Sequence, residues 1–193
     1  MNLHDALRAV ENLRAADRPA LAVAAVARRL LGRSRLREVL RGSWLGHPLH
    51  PLMITVPIGA WVCASALDAR AGNEDAARRL TGIGLAAAPP TVLLGLADYD
   101  RLGRRQQRVG VVHALANTTA LACFTASYAA RRREAHAEGK LLSLLGLAAM
   151  GVGGALGGHL AYAQGAGVFR WQRPAEDENV IPFEVRRSTQ RVR

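Results

Sequence analysis

Hydrophobic and polar positions segregate along this chain over some twenty residues at a time, rather than over one helical turn. Four stretches contain no Asp, Glu, Lys or Arg: residues 42–67, 80–97, 109–130 and 141–163, of 26, 18, 22 and 23 residues. At ~1.5 Å of rise per residue, each suits a helix crossing a hydrocarbon core ~30 Å thick. The pattern therefore predicts an all-α fold, a polytopic membrane four-helix bundle with spans at about 48–68, 80–98, 109–130 and 141–163. These spans form one transmembrane domain over 42–163. A basic, helical juxtamembrane arm (1–41) precedes it, and a polar, basic tail (164–193) follows, charged and proline-interrupted enough to be flexible.

Within this frame the residues predict local irregularities. The arm is expected to break at Pro19, with Leu21, Val23, Val26, Leu30 and Leu31 as its apolar ground, interrupted by Arg28 and Arg29. It suits either an anionic membrane surface, at ~1 kcal/mol per arginine, or the protein's own base. Span one opens with Gly46-His47-Pro48-Leu49-His50-Pro51. Pro48 fits a first helical turn, Pro51 makes the start irregular, and Pro57 adds a kink. Pro89 and Pro90 free backbone groups in the middle of span two, which neighbouring helices must satisfy. Span three carries His113, Asn117, Thr118, Thr119 and Ser127, polar enough to face other helices. Span four is rich in glycine (146, 151, 153, 154, 157 and 158), a spacing that admits close approach of a helix or a flat ligand.

Composition adds a second constraint. A net charge of +11 on 193 residues would by itself suggest a nucleic-acid partner. The basic residues, however, lie beside the apolar stretches, where the positive-inside rule accounts for them, so nucleic acid is not expected as a partner. A mean hydropathy of +0.04 averages apolar spans with basic connectors, which argues against a soluble single-core enzyme. The arm, second connector and tail hold 9, 4 and 6 basic residues, against 3 and 4 in the other connectors. Both termini are thus expected on the cytoplasmic side of the inner (cytoplasmic) membrane, with the lipid bilayer as first partner. The first 19 residues, with Asp5, Glu11 and Asp17, lack the apolar core of a secretory signal. Cys63 and Cys123 read as small buried thiols, too few for a disulfide framework or a four-thiolate metal site. With no G-x-S-x-G, H-E-x-x-H or phosphate-loop signature, a stand-alone enzyme is not expected.

The histidines carry the candidate chemistry. Because successive spans alternate in direction, His47 and His50 at the start of span one, His113 early in span three and His159 late in span four fall on one side. Asp98 at the end of span two joins them, whereas His4 and His136 read as surface residues. Ionisable groups in a bilayer are costly and usually paired or functional. His113, Asn117, Ala120, Phe124 and Ser127 share a face of span three, and Ala148, Val152, Ala155 and His159, with Gly158 adjacent, share one of span four. Two cofactor chemistries fit. Haem b would take His113 and His159 as axial ligands, with Asn117, Gly157 and Gly158 as its walls. His47, His50, Arg101, Arg104 and Arg105 would meet its propionates. Alternatively, His47, His50, His113, His159 and Asp98 would bind a zinc, copper or iron ion directly.

The ordered motifs also resemble a known family. They are Trp44-Leu45-Gly46-His47-Pro48-Leu49-His50-Pro51, Val56-Pro57-Ile58-Gly59-Ala60-Trp61, Leu67-Asp68, Gly95-Leu96-Ala97-Asp98-Tyr99 and His113-Ala114-Leu115-Ala116-Asn117. Gly157-Gly158-His159-Leu160-Ala161-Tyr162 closes the series, with Gly165 and Gly167-Val168 beyond it. Together they resemble a bacterial four-span membrane family catalogued as a domain of unknown function, number 2231. Some members carry a fused Rieske-type iron–sulfur domain after span four, whose ligands this tail lacks. The resemblance implies redox associations without an established activity, and any iron–sulfur partner would be a separate protein. The expected function is b-haem binding for electron transfer or redox sensing. The alternative is a metal-binding or cofactor-free membrane scaffold that assists another complex, and a second copy of the chain is a further candidate partner.

Overall fold

The computed structural model describes residues 3–32 and 35–167, and among them every regular element is helical. Four helical segments have the length and apolar character to cross a membrane: Leu49–Leu67, Glu74–Tyr99, Arg104–Arg132 and His136–Ala163. The first is divided into α4 (Leu49–Met53) and α5 (Thr55–Leu67). Pro57 has no N–H to offer the Met53 carbonyl, and the interruption falls there. By contrast α6 (Glu74–Tyr99) passes unbroken through Pro89 and Pro90. Next come α7 (Arg104–Arg132) and α8 (His136–Gly158), which ends in a π-helical turn, His159–Ala163. These helices overrun the uncharged stretches, because the hydrogen-bond ladder continues after the side chains have reached water.

The arm comprises α1 (Leu3–Glu11), a 3₁₀ turn (Arg14–Ala16), α2 (Asp17–Leu31) and α3 (Arg35–Arg41). Its break precedes Pro19, which sits in the first turn of α2, where no backbone donor is needed. Ala20, Ala24, Ala27 and Leu31 bury one face of α2 against α6 and α7, so the arm packs on the protein's own base. The bulkier Leu21, Val26 and Leu30 point away from it, because close helix approach favours alanine at the contact. The tail beyond residue 167, expected to be flexible, lies outside the described residues.

The hairpin of α4, α5 and α6 is repeated by the hairpin of α7 and α8. Asp68 and Arg131 are 63 residues apart, as are His50 and His113, Trp61 and Phe124, and Ala64 and Ser127. On the second helix of each hairpin the offset is one residue less, pairing Thr81 with Ser143, Gly84 with Gly146, Leu94 with Leu156 and Gly95 with Gly157. Gly-Leu-Ala-Ala occurs at 84–87 and again at 146–149. Ala64 and Ser127, Thr81 and Ser143, and Leu94 and Leu156 are buried in both copies. Two equivalent pairs touch: Trp61 stacks on Phe124 with centroids 4.1 Å apart and planes 10° from parallel, and Asp68 pairs with Arg131. A residue touching its own counterpart marks the axis of a two-fold relation. Here that pseudo-axis runs between α5 and α7 along the spans, the arrangement of parallel repeats in membrane proteins.

Candidate functional site

Below the Trp61–Phe124 stack, by about three helical turns on the same helix faces, lie His50 and His113. They are held identically. His50 of α4 sits over Gly95 of α6, and its Nδ1 lies 3.0 Å from the Thr91 carbonyl. His113 of α7 sits over Gly157 of α8, and its Nδ1 lies 2.8 Å from the Gly153 carbonyl. A Cβ at Gly95 or Gly157 would come within 3.1 or 3.0 Å of the respective imidazole, so glycine is what lets each ring settle. A carbonyl only accepts, so each Nδ1 carries the proton and donates it, leaving a lone pair on each Nε2. Asn117 donates to the His113 carbonyl at 2.9 Å, and its amide lies 3.3 Å from both ring nitrogens, filling the space beside Gly153.

The other expected members of the site go elsewhere. His159 does not pair with His113, because its Nε2 lies 2.6 Å from Glu11 Oε1 of the arm, a carboxylate that helical spacing could not reveal. On α8 the buried face is Gly139, Ser143, Gly146, Gly153 and Leu156, while Ala148, Val152 and Ala155 are exposed. A Cβ on Gly158 would meet nothing within 4 Å, so this glycine is no wall of the site. Asp98 lies 3.7 Å from Arg41 Nε, drawn to the arm's arginines, and His47 is exposed ahead of α4. Among the described residues no group of three or more His, Cys, Asp or Glu is placed to hold a metal ion, against the four-histidine metal site. Arg101 pairs with Glu38, while Thr118 and Thr119 face outward and return their hydroxyl protons to the carbonyls of Ala114 and Leu115. Cys63 is exposed and Cys123 half-buried, because α5 and α7 each turn only one face to the bundle. His136 is half-buried rather than on the open surface, and the side chain of His4 lies outside the described residues.

All the quoted motifs up to Gly167 sit on or directly beside the four spans. The family model described as predicted membrane protein (DUF2231) matches residues 46–170. The chain belongs to the DUF2231 family. In this DUF2231 member the match takes in both hairpins, His50, His113 and His159, and leaves the arm outside. No curated protein and no solved structure matches the chain.

Sequence reading missed a second constellation, at the opposite end of the bundle. The Arg131 side chain is fully buried, with Nη1 and Nη2 donating to both Asp68 carboxylate oxygens at 2.8 and 2.5 Å. Its Nε reaches Ser127 Oγ at 3.1 Å, Ser127 bonds the Gly139 carbonyl at 2.7 Å, and Lys140 donates to the Asp68 carbonyl at 3.0 Å. The signal that could have found it is the repeat itself, which puts opposite charges at equivalent ends of α5 and α7.

Ion pairs also fasten the arm to the base. Asp17 accepts from Arg108 at 2.6 and 3.0 Å, and Arg108 Nη1 donates to the Glu11 carbonyl at 3.1 Å. The Arg108 hydrogen bonds hold the Asp17 carboxyl below its ordinary 3.8. Burial raises the Glu11 carboxyl, but hydrogen bonds from His159 and Gln164 and the charges of His159 and Arg105 outweigh it and bring it below its ordinary 4.5. A depressed carboxylate contributes stability that is complete above its unfolded value and is lost as pH falls through its folded value. Protease cleavage within the arm is therefore expected to rise on acidification below about pH 4. Asp17→Asn should raise cleavage at neutral pH and flatten that acid dependence; an unchanged profile would remove Asp17 from the attachment.

Proposed function

We propose that this chain is an integral membrane redox protein that holds b-type haem between His50 and His113, serving electron transfer or redox sensing. The observation that carries the reading is the matched pinning of the two rings. Each Nδ1–H is committed to a backbone carbonyl on the neighbouring helix, Thr91 or Gly153, which fixes the tautomer and orientation that imidazole ligands require. The pair replaces the expected His113 and His159, since His159 is engaged by Glu11. When bound, haem would supply one-electron chemistry, with its potential set by axial ligands and burial. The chain's contribution is to orient the two Nε2 atoms, with the Trp61–Phe124 stack closing the bundle centre further along the axis. With both termini cytoplasmic, a separate iron–sulfur protein would meet the arm side.

One observation favours a second reading, a cofactor-free scaffold. Gly157, expected to wall a flat ring, is covered by His113 of the chain itself, and the space beside Gly153 is filled by Asn117. Visible spectra of purified protein, oxidised and dithionite-reduced and after addition of haemin, separate the two. The haem reading expects a low-spin Soret band that is abolished or converted by His50→Ala and by His113→Ala, and kept by His159→Ala and His136→Ala. A silent spectrum, or a band indifferent to the first two changes, leaves the scaffold.

A further inference from the structure

On the arm side, α2, α3 and the end of α6 enclose a cavity of about 510 Å³, lined by Arg28, Arg37, Glu38, Arg41, Asp100 and Arg101. Its floor is fixed. Arg41 donates to the Ala97 carbonyl at 2.7 Å, to Asp100 at 2.7 Å and to Glu38 at 2.8 Å. Arg37 donates to the Gly32 carbonyl at 2.8 Å and pairs with Asp100. Both guanidiniums are buried and their donors are largely spent, so they act as structure and as charge.

The rim differs. Arg101 commits one nitrogen to Glu38 at 3.0 Å and remains half-exposed. Arg28, in the last turn of α2, is exposed, and its side chain has no partner among the described residues. Four guanidiniums outnumber the carboxylates of Glu38, Asp100 and nearby Asp98, so the cavity is electropositive, with unspent donors at its mouth. Planar forks of N–H groups match phosphate oxygens two at a time. Asp100 and Arg101 directly follow the membrane-spanning helix Glu74–Tyr99, so the cavity stands at the end of that span.

We propose that this cavity binds a phosphate group, the ligand's charge lying between Arg28 and Arg101, and its place at the end of a membrane span favouring a phosphate carried on a lipid. Basic pockets beside membrane helices are suited to anionic headgroups. The inference is independent of the histidine site.

Native mass spectrometry of the full chain in neutral detergent, titrated with phosphatidylglycerol or phosphatidylcholine, tests it. Tighter retention of phosphatidylglycerol, one per chain, is expected. Arg28→Gln with Arg101→Gln should weaken it by about tenfold or more, the size of a lost charge-assisted contact. Arg28→Gln alone removes no internal bond, so it reports even if the double variant folds poorly, and it should weaken retention several-fold. Inorganic phosphate competing at millimolar concentration would assign the site to free phosphate; failure to compete would assign it to the lipid. Equal retention of the two lipids, or retention unchanged in Arg28→Gln, overturns the proposal.

Discussion

Arg131→Ala is expected to destabilise the folded bundle by about 3–5 kcal/mol, the usual cost of removing one partner from a buried ion pair. The substitution strips both guanidinium hydrogen bonds from the Asp68 carboxylate, only 9% accessible, and leaves Lys140, which is spent on the Asp68 carbonyl, as the remaining cation beside it. Replacing both, as Asp68→Leu with Arg131→Met, should recover most of the loss, because the penalty comes from the stranded charge more than from the missing attraction. Thermal or detergent unfolding of purified protein measures this. A single-variant shift below about 1 kcal/mol, the range of a solvated pair, would place the interaction outside the core.

The second large effect is steric. A Cβ on Gly84 would lie 2.3 Å from Trp61 Nε1, and the indole has little room to retreat: it donates to the Thr81 carbonyl at 3.3 Å and stacks on Phe124. Gly84→Ala is therefore expected to cost about 3 kcal/mol, the upper part of the usual overpacking range. At the equivalent Gly146 a Cβ would meet the Phe124 ring at 3.0 Å, a milder clash, so Gly146→Ala should cost less. Gly154→Ala meets nothing within 4 Å and should be neutral or stabilising by up to about 1 kcal/mol. Unfolding midpoints in any other order would contradict this packing.

The four spans were legible because the bilayer imposes a length and a hydropathy that no other context requires, and both can be read from uncharged runs. The inward face of span three was legible for the same reason that helical faces usually are: His113, Asn117, Ala120, Phe124 and Ser127 recur at the period of the helix. Span four was not, because alanine, valine and glycine are distributed all around α8, and only the bulk of Asn117, His113 and Phe124 opposite selects Gly153, Gly157 and Gly146 as the contact. The partners of His159 and Asp98 were hidden for another reason. Both are engaged by the arm, by Glu11 and Arg41, and such pairings across long sequence separations depend on where the arm docks. Pro19 misled because proline breaks a helix interior but is welcome in a first turn, and the sequence around it does not say which applies.

The repeat has a consequence for how copies of this protein recognise one another. In a symmetric pairing of two identical hairpins, each residue on the axis would face itself. The first hairpin would set Asp68 against Asp68 and the second Arg131 against Arg131, both like-charged and desolvated. Carried in one chain, the two hairpins have unlike residues at that point, and the buried contact becomes an attraction. Exchange of hairpins between neighbouring molecules is then productive only when a first half meets a second half. The charge at the axis would therefore favour the meeting of unlike halves over the pairing of twins.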